Sequence, residues 1–297
     1  MFDLRYHIAS LVAVFLSLGL GIIVGVTMVG DEALVKEQKV LIDRLEEDFR
    51  ILREKNLMVQ KQIDEYKWTI GWLNGFSENT VPLLIRECLT DYRLVIIETG
   101  GYSVPPGLLA NLEEAGAEVI SVTSISSGLG GKAEELAGII KTNGLSGALS
   151  GSNYYSFMAE EIGKMLFLPE KSTLQLRLEE AGMIKTAGRY GDSFDAAIIF
   201  GGANEENSVL VEDFDLPLMK LIGERGILTV GVELSSAAYS YVSDYQNHAD
   251  IIIDHIDTIP GQVALVWSLR GIPGYYGLKP GAAALLPALE DHFLTFH

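Results

Sequence analysis

The sequence predicts an α/β protein in three consecutive parts: an N-terminal transmembrane helix, a parallel dimeric coiled coil, and a doubly wound domain with a mainly parallel five-stranded sheet. Three observations predict this fold class: an apolar run near the start, a heptad pattern after it, and then strands alternating with helices. We place the membrane anchor at residues 1–30, the coiled-coil stalk at 31–74 and a Rossmann-like α/β domain at 75–297.

The anchor is predicted from residues 8–29, which contain no charged side chain and are polar only at Ser10, Ser17 and Thr27. At about 1.5 Å per residue, a helix of this length crosses the roughly 30 Å hydrocarbon core of a bilayer. A cleaved signal peptide has a shorter apolar region, about 7–15 residues. The pattern favours an uncleaved anchor over a signal peptide, and both over a buried helix of a soluble protein. The lipid bilayer is therefore the first expected partner.

Small residues recur at every fourth position of the anchor. They are Ala9, Ala13, Ser17, Gly21 and Gly25. Small side chains on one face of a membrane helix allow two helices to approach closely. The pattern predicts dimerisation through Ser17, Gly21 and Gly25.

A heptad pattern follows the anchor. The a positions are Val35, Ile42, Phe49, Asn56, Ile63 and Ile70, and the d positions are Gln38, Leu45, Leu52, Val59, Tyr66 and Leu73. Apolar residues at a and d, flanked by charged ones, are typical of a coiled coil. A surface helix packed on its own domain shows a similar pattern, but rarely over so many heptads.

Asn56 at an a position favours a parallel homodimer, because two such amides pair across a two-stranded seam and fix its register. Two membrane helices entering from one side fit the same orientation. The predicted dimer contacts of the stalk are Leu45, Phe49, Leu52, Asn56, Val59 and Ile63.

The helix is predicted to loosen at Gly71 and Asn74-Gly75, and a new helix, capped by residues 77–80, is predicted to begin at Pro82. Strands are then predicted at residues 93–98, 118–123, 195–200, 228–232 and 250–253, and helices at 105–117, 133–141, 154–167, 172–181, 216–224 and 261–269. Near-continuous apolar strands separated by helices indicate a parallel sheet covered on both faces. The Gly- and Pro-rich stretch after residue 269 is predicted to be an ordered loop.

The composition excludes several classes of function. The net charge of -18 argues against a nucleic-acid partner, since phosphate binding needs basic patches. With Cys88 as the one cysteine, the chain can form no intrachain disulfide and no Cys/His zinc framework. No GxGxxG, P-loop, GxSxG or HExxH motif occurs, so we expect no enzyme activity, cofactor or bound metal.

A small-molecule site, if present, is expected at the carboxyl ends of the strands, where open α/β sheets bind ligands. The candidate residues there are Glu98, Gly100, Gly101, Gly201, Gly202, Glu233, Asp254 and His255. The carboxylates and the histidine could act as metal ligands or as an acid–base set. Alternatively, these residues are there only because the chain turns.

Tyrosines concentrate in the last quarter of the chain, at Tyr239, Tyr241, Tyr245, Tyr275 and Tyr276. Tyrosine is enriched at protein interfaces. Partly buried packing within the domain is the alternative, and it is slightly favoured.

The segments FDLRYHIASLVAVFLSLGLGIIVG (residues 2–25) and GYYGLKPGAAALLP (residues 274–287), with the heptads after the first, resemble the bacterial MctB family of copper transporters. The resemblance implies a plasma-membrane protein with a cytoplasmic N-terminus, an extracytoplasmic α/β domain and a role in copper ion homeostasis. Some relatives pair with a thiamine-pyrophosphokinase-like membrane protein and control cell separation through cell-wall hydrolases. Charge alone does not set the orientation, since basic residues lie on both sides of the anchor.

The residues themselves supply no copper mechanism. Cu(I) favours clustered Cys and Met ligands, but Cys88 is alone and the closest methionines, Met158 and Met165, are seven positions apart. An outer-membrane channel would need a closed barrel of alternating strands. The residues favour a dimeric membrane scaffold that recruits a membrane or cell-envelope partner, and an enzyme or small-molecule sensor remains a third class.

Overall fold

The computed structural model describes residues 4–142, 153–206 and 210–288. The chain divides into two compact units, Met1–Asn74 and Gly75–His297. Helix α1 begins at Leu4, is 82 residues long, and forms the described part of the first unit up to Asn74. The second unit contains the end of α1 and a mixed α/β domain.

The start of α1 has the length and apolarity of a membrane anchor. Residues Arg5–Val26 have a mean hydropathy of 2.5, and none of their side chains is buried. A signal sequence near an N-terminus shares these two properties. The helix fits the predicted transmembrane segment.

The predicted break in the helix near residue 74 is wrong, because α1 continues without interruption through Pro82 to Ile85. The polar residues expected to cap a new helix bond backwards instead: Asn79 Nδ2 donates to the Gly75 carbonyl at 2.6 Å, and Thr80 Oγ1 to the Phe76 carbonyl at 2.9 Å. Ile85 is fully buried in the domain core, and this packing holds the last turn in helical form.

The described part of the α/β domain contains a seven-stranded sheet. Its strands are β1 (Arg93–Glu98), β2 (Glu118–Ile125), β3 (Ile184–Gly188), β4 (Ala196–Gly201), β5 (Leu228–Glu233), β6 (Ile251–Ile253) and β7 (Tyr275–Tyr276). The order across the sheet is β3-β2-β1-β4-β5-β6-β7. All neighbouring pairs are parallel except β2 with β3.

The mainly parallel sheet was predicted correctly, but the count of five strands was wrong. Strand β3 lies at an edge of the sheet, and only its Ile184 is buried. Its sequence therefore lacks the apolar run by which the other strands were predicted. Strand β7 lies within the stretch predicted as a loop. It exists through pairing with β6, as the Ile252 N–H donates to the Gly274 carbonyl at 2.9 Å. Strands with so few local contacts depend on their neighbours.

Helices cover both faces of the sheet. They are α2 (Pro106–Glu114), α3 (Ala133–Thr142), α4 (Asn153–Met165), α5 (Thr173–Glu180), α6 (Leu216–Gly223), α7 (Val242–Tyr245) and α8 (Ile259–Leu269), with a 3-10 turn at Leu129–Gly131 and a π-helical turn at Val211–Asp215. Strand β1 shows the two faces: Val95 and Ile97 belong to the core under α3 to α7, whereas Leu94 and Ile96 belong to the core under α2, α8 and the end of α1. This alternation is the doubly wound arrangement that the sequence predicted.

The clustered tyrosines pack within the domain. Tyr241, Tyr245, Tyr275 and Tyr276 are buried, and Tyr239 alone of the five is exposed. The interface interpretation is therefore wrong for four of them.

Candidate functional site

The strand order places the candidate site between β1 and β4. From β1 the chain runs to β2 on one side, whereas β4 to β7 extend on the other. In open α/β sheets, ligands bind in the crevice outside the carboxyl ends of the strands where the order reverses. The loops that follow β1, β2 and β4 meet at this point.

Two adjoining cavities open there, and we call them together the strand-end crevice. The first has a volume of about 330 Å³ and is lined by residues 98, 101–103, 124–127 and 182–185. The second has a volume of about 280 Å³ and is lined by residues 100–101, 127–128, 131 and 204–205. Gly101 and Ser127 line both. Each cavity lies near the lower limit of about 300 Å³ for small-molecule sites.

Glycine is required where the β1 loop meets its neighbours. Gly101 has φ +74°, and a Cβ built on it would lie 2.3 Å from Ser127 Cβ. A Cβ on Gly100 would lie 2.0 Å from the Gly202 carbonyl oxygen. Side chains at these positions would push the loops apart, so the two glycines shape the crevice.

Glu98, at the end of β1, is the predicted acidic residue that lines the crevice. Its side chain is 8% exposed, and its Oε1 accepts a hydrogen bond from the Val104 N–H at 2.7 Å. Across the opening, the Tyr102 hydroxyl donates to Asn204 Oδ1 at 2.6 Å and ties the β1 loop to the β4 loop. Of the eight predicted residues, Glu98, Gly100 and Gly101 line the crevice.

The two glycines at the end of β4 serve packing. A Cβ on Gly201 would overlap the hydroxyl of Tyr245, and a Cβ on Gly202 would lie 3.1 Å from Glu233 Cγ. Gly201 therefore leaves room for a buried tyrosine, and Gly202 allows the chain to pass close to β5.

Glu233, at the end of β5, is fully buried and bonded on both oxygens. Its Oε2 accepts from the Tyr241 N–H at 2.7 Å, and its Oε1 pairs with Lys279 Nζ. Burial lowers the pKa of Lys279. Lys279 belongs to the GYYGLKPG stretch, so the chain itself supplies the cation for this carboxylate.

Asp254, just after β6, is fully buried and receives four hydrogen bonds. The Leu278 N–H, the Lys279 N–H and the Tyr275 hydroxyl donate at 2.8–2.9 Å, and His255 Nδ1 also bonds to it. Burial acts to raise the pKa of Asp254, but these hydrogen bonds lower it below its usual value.

We call residues 272–288 the C-terminal segment. With Lys279 on Glu233 and three donors on Asp254, this segment fills the strand-end positions after β5 and β6. The backbone of His255 has φ +54°, and its carbonyl accepts from Thr258 Oγ1 at 2.7 Å. Glu233, Asp254 and His255 are therefore brought together with the C-terminal segment rather than with the crevice.

Sequence reasoning missed one further buried acidic residue, Asp215. It is fully buried at the start of α6, where its Oδ2 accepts hydrogen bonds from the Tyr245 hydroxyl and from Thr99 Oγ1, the latter at 2.9 Å. Among the described residues, none bonds to its Oδ1. Burial raises the pKa of Asp215 to about 7, although the two hydrogen bonds act to lower it. The one feature of the sequence that could have pointed to Asp215 is its partner Thr99, which directly follows β1.

A cavity larger than those of the crevice lies elsewhere. It has a volume of about 590 Å³, lies beside α4 and α6, and is lined by Glu160, Glu212, Glu224, Lys220 and His248 among others. No predicted site residue lines it. Within the described ranges, no group of three or more His, Cys, Asp or Glu side chains has the arrangement to hold a metal ion, and this includes the acidic residues here.

The predicted dimerisation residues lie on the exposed surface of α1. Leu45, Phe49, Leu52, Val59 and Ile63 are all exposed. A Cβ built on Gly21 or Gly25 would meet nothing within 4 Å, and Ser17 Oγ donates to the Val14 carbonyl within its own helix. Contacts of these residues, and of Asn56, with a second copy of the chain stay a prediction.

In the α/β domain, the soft side chains that could bind copper are Cys88 and four methionines. Cys88 Sγ lies 3.5 Å from the cationic Nη1 of Arg270. Met158, Met165, Met183 and Met219 are buried in one apolar core. The sulfur of Cys88 already accepts a hydrogen bond from Arg270, and thioethers packed in the core are not accessible to Cu(I).

Comparison with known proteins gives one family. The sequence model of the family described as "Copper transport outer membrane protein, MctB" matches residues 1–287. A search of curated proteins gives no match.

Proposed function

Because the chain belongs to the MctB family, whose members are membrane proteins related to copper transport or homeostasis, we propose that it is a non-enzymatic, single-pass membrane protein that works as a parallel homodimer. In this proposal the N-terminus is cytoplasmic and the α/β domain lies outside the plasma membrane. The domain recruits a membrane or cell-envelope partner, and the copper role of the family depends on that partner.

One observation carries the proposal: the apolar seam of α1 has no cover within the described chain. Ile42, Leu45, Phe49, Leu52 and Val59 are between 52% and 60% exposed. Burying one such side chain contributes roughly 1.5–3 kcal/mol. A helix that presents this seam to water is expected to bury it against another helix.

A second copy of the chain is the occupant that fits this seam. The apolar positions keep the a/d spacing of a two-stranded coiled coil, and Asn56 at an a position pairs best with its own symmetry mate. Within the anchor, Gly21 and Gly25 have open space above their Cα atoms, which supports close approach of a second membrane helix.

The alternative function is a scaffold that regulates cell-wall hydrolysis and cell separation through a recruited partner. It shares the dimeric anchor with the first proposal and differs in the partner. The bond from Arg270 to Cys88 and the burial of the four methionines favour a recruiting role over direct copper binding.

Disulfide crosslinking in membranes tests the parallel dimer. In a Cys88→Ser background, Asn56→Cys is expected to form a disulfide-linked dimer under mild oxidation, because facing a positions bring two Cβ atoms close together. Lys61→Cys in the same background is the matched control, since residue 61 is an f position and points away from the partner.

The readout is non-reducing electrophoresis, with native mass spectrometry of the uncrosslinked protein in detergent. A monomer in detergent, or equal crosslinking at residues 56 and 61, would contradict the proposal. Loss of the first thirty residues in the purified protein would contradict the uncleaved anchor.

A further inference from the structure

We propose that the strand-end crevice binds a neutral polyhydroxylated molecule of sugar size, with the carboxylate of Glu98 as its central acceptor. The inference stands on the crevice between β1 and β4. It does not depend on the dimer or on the copper role of the family.

The first argument is the state of Glu98. Glu98 is buried, with 8% of its surface exposed, but only its Oε1 accepts a hydrogen bond, from the Val104 N–H. Within the described ranges, no group donates to its Oε2. A buried carboxylate is stabilised when donors satisfy both oxygens. A ligand hydroxyl in the first cavity would supply the missing donor.

The second argument is the character of the other polar groups around the crevice. Ser103, Ser124 and Ser126 line the first cavity, and no described residue bonds to their hydroxyl groups. A hydroxyl both donates and accepts, which matches the hydroxyls of a polyol better than it matches a ligand with acceptors alone. The half-buried Tyr102 adds an aromatic ring at the wall, and its bond to Asn204 fixes the ring in place.

The charges of the crevice exclude other ligand classes. Glu98 and Glu205 line it, and among the described lining residues Lys185 is the one basic side chain. Glu98 would repel the anion of a nucleotide or phosphate at the base of the crevice. A lipid is disfavoured because the apolar lining is limited to residues that the core already buries, such as Met183 and Ile184.

The loop geometry makes the crevice a preformed site. The close contact of Gly101 with Ser127, at φ +74°, joins the β1 and β2 loops, and Tyr102 joins the β1 loop to the β4 loop. Groups that are fixed before binding lose less entropy when the ligand arrives. Three loops are thus held around one buried acceptor.

Ligand-observed NMR with the full-length protein tests the proposal, in a detergent without a sugar headgroup. The probes are cellobiose and N,N′-diacetylchitobiose, with inorganic pyrophosphate as the anionic and spermidine as the cationic alternative. The two disaccharides are expected to bind at millimolar concentrations. Glu98→Gln is expected to weaken them about tenfold or more, since it removes a charged acceptor but keeps an oxygen for the Val104 N–H.

Two further variants complete the test. Ser126→Ala is expected to weaken the disaccharides several-fold, and it serves if Glu98→Gln does not fold. Glu118→Gln is the control, because Glu118 begins β2, whereas the crevice lies beyond the carboxyl end of that strand. Binding of pyrophosphate or spermidine alone, no disaccharide binding at all, or equal loss in Glu118→Gln would overturn the proposal.

Discussion

Asp215 shows how a buried acidic residue makes stability depend on pH. Its pKa is about 7 in the folded chain, against 3.8 for an aspartate in water, and burial is the main cause of this increase. Between these two values the folded state holds a proton that the unfolded state has released. The free energy of unfolding therefore decreases as the pH rises from about 4 to about 7, by up to about 4 kcal/mol from this residue.

The substitution Asp215→Asn removes this titration but keeps an oxygen for Tyr245 and Thr99. We expect the variant to gain stability relative to wild type as the pH rises through 4 to 7, and the gain to level off above pH 7. Urea unfolding of the full-length protein at several pH values measures the difference. A difference that does not change with pH would contradict the prediction.

Asp254→Asn is the comparison of opposite sign. The pKa of Asp254 is lowered in the folded state, so its contribution to stability is present above its unfolded pKa and is lost as the pH falls. Its substitution is expected to destabilise the protein most at neutral pH and less in acid.

At the scale of elements, the C-terminal segment explains why the GYYGLKPG motif occurs. Tyr275 and Tyr276 form β7, the backbone of Leu278 and Lys279 bonds to Asp254, and the Lys279 ammonium pairs with Glu233. Gly277, at φ +148°, lies so close to Asp254 that an added Cβ would overlap its carboxylate. The motif therefore adds strand β7 beside β6 and supplies the hydrogen-bond donors and the cation for the two buried carboxylates.

We expect Gly277→Ala to destabilise the domain by about 2–4 kcal/mol, because the added methyl group displaces Asp254 from buried hydrogen bonds. Gly271→Ala is the matched control: Gly271 has φ +131°, but a Cβ there would meet nothing within 4 Å. Its cost is expected to be about 1 kcal/mol, from backbone strain alone. Thermal unfolding compares the two, and equal losses would show that Asp254 is not the reason for the glycine.

At the scale of the whole molecule, membership of the MctB family has to be reconciled with the few copper ligands that the described residues offer. The family description names copper transport, whereas Cys88 lies beside Arg270 and four methionines are packed in the core. These facts agree with the proposed function, in which a recruited partner and not this chain binds the copper.

A Cu(I) titration of the full-length protein against a competing chelator tests this reconciliation. We expect no binding at micromolar or tighter affinity, and identical curves for wild type and Cys88→Ser, because no cluster of soft ligands is available to the metal. Tight binding that Cys88→Ser abolishes would make this chain a direct copper protein. Tight binding that survives the substitution would point to the methionines.

The sequence was informative wherever a pattern repeats locally. The apolar run of α1 and its heptads follow from side-chain period alone, and so do the five strands with continuous apolar runs. The end of α1 was misread because Asn79 and Thr80 are equally good capping residues and back-bonding residues, and the burial of Ile85 decides between these roles.

The candidate site was predictable only in its location. Strand ends could be read from the sequence, but the sequence could not show that Glu98 faces a crevice while Glu233 and Asp254 face Lys279 and the backbone of residues 278–279. Those partners lie 24 to 46 positions away along the chain. Local periodicity carries no information about such contacts, because they form only after the sheet has assembled.

The sequence by itself predicted the long apolar helix, its heptad pattern and the doubly wound class, since each depends on which face of an element is apolar. The tertiary structure alone decided that β3 and β7 are strands, that Asp215 is buried, and which acidic residues the C-terminal segment occupies. The physical reason is that these features depend on contacts between distant segments, whose energies are set by burial and hydrogen bonding in the assembled domain.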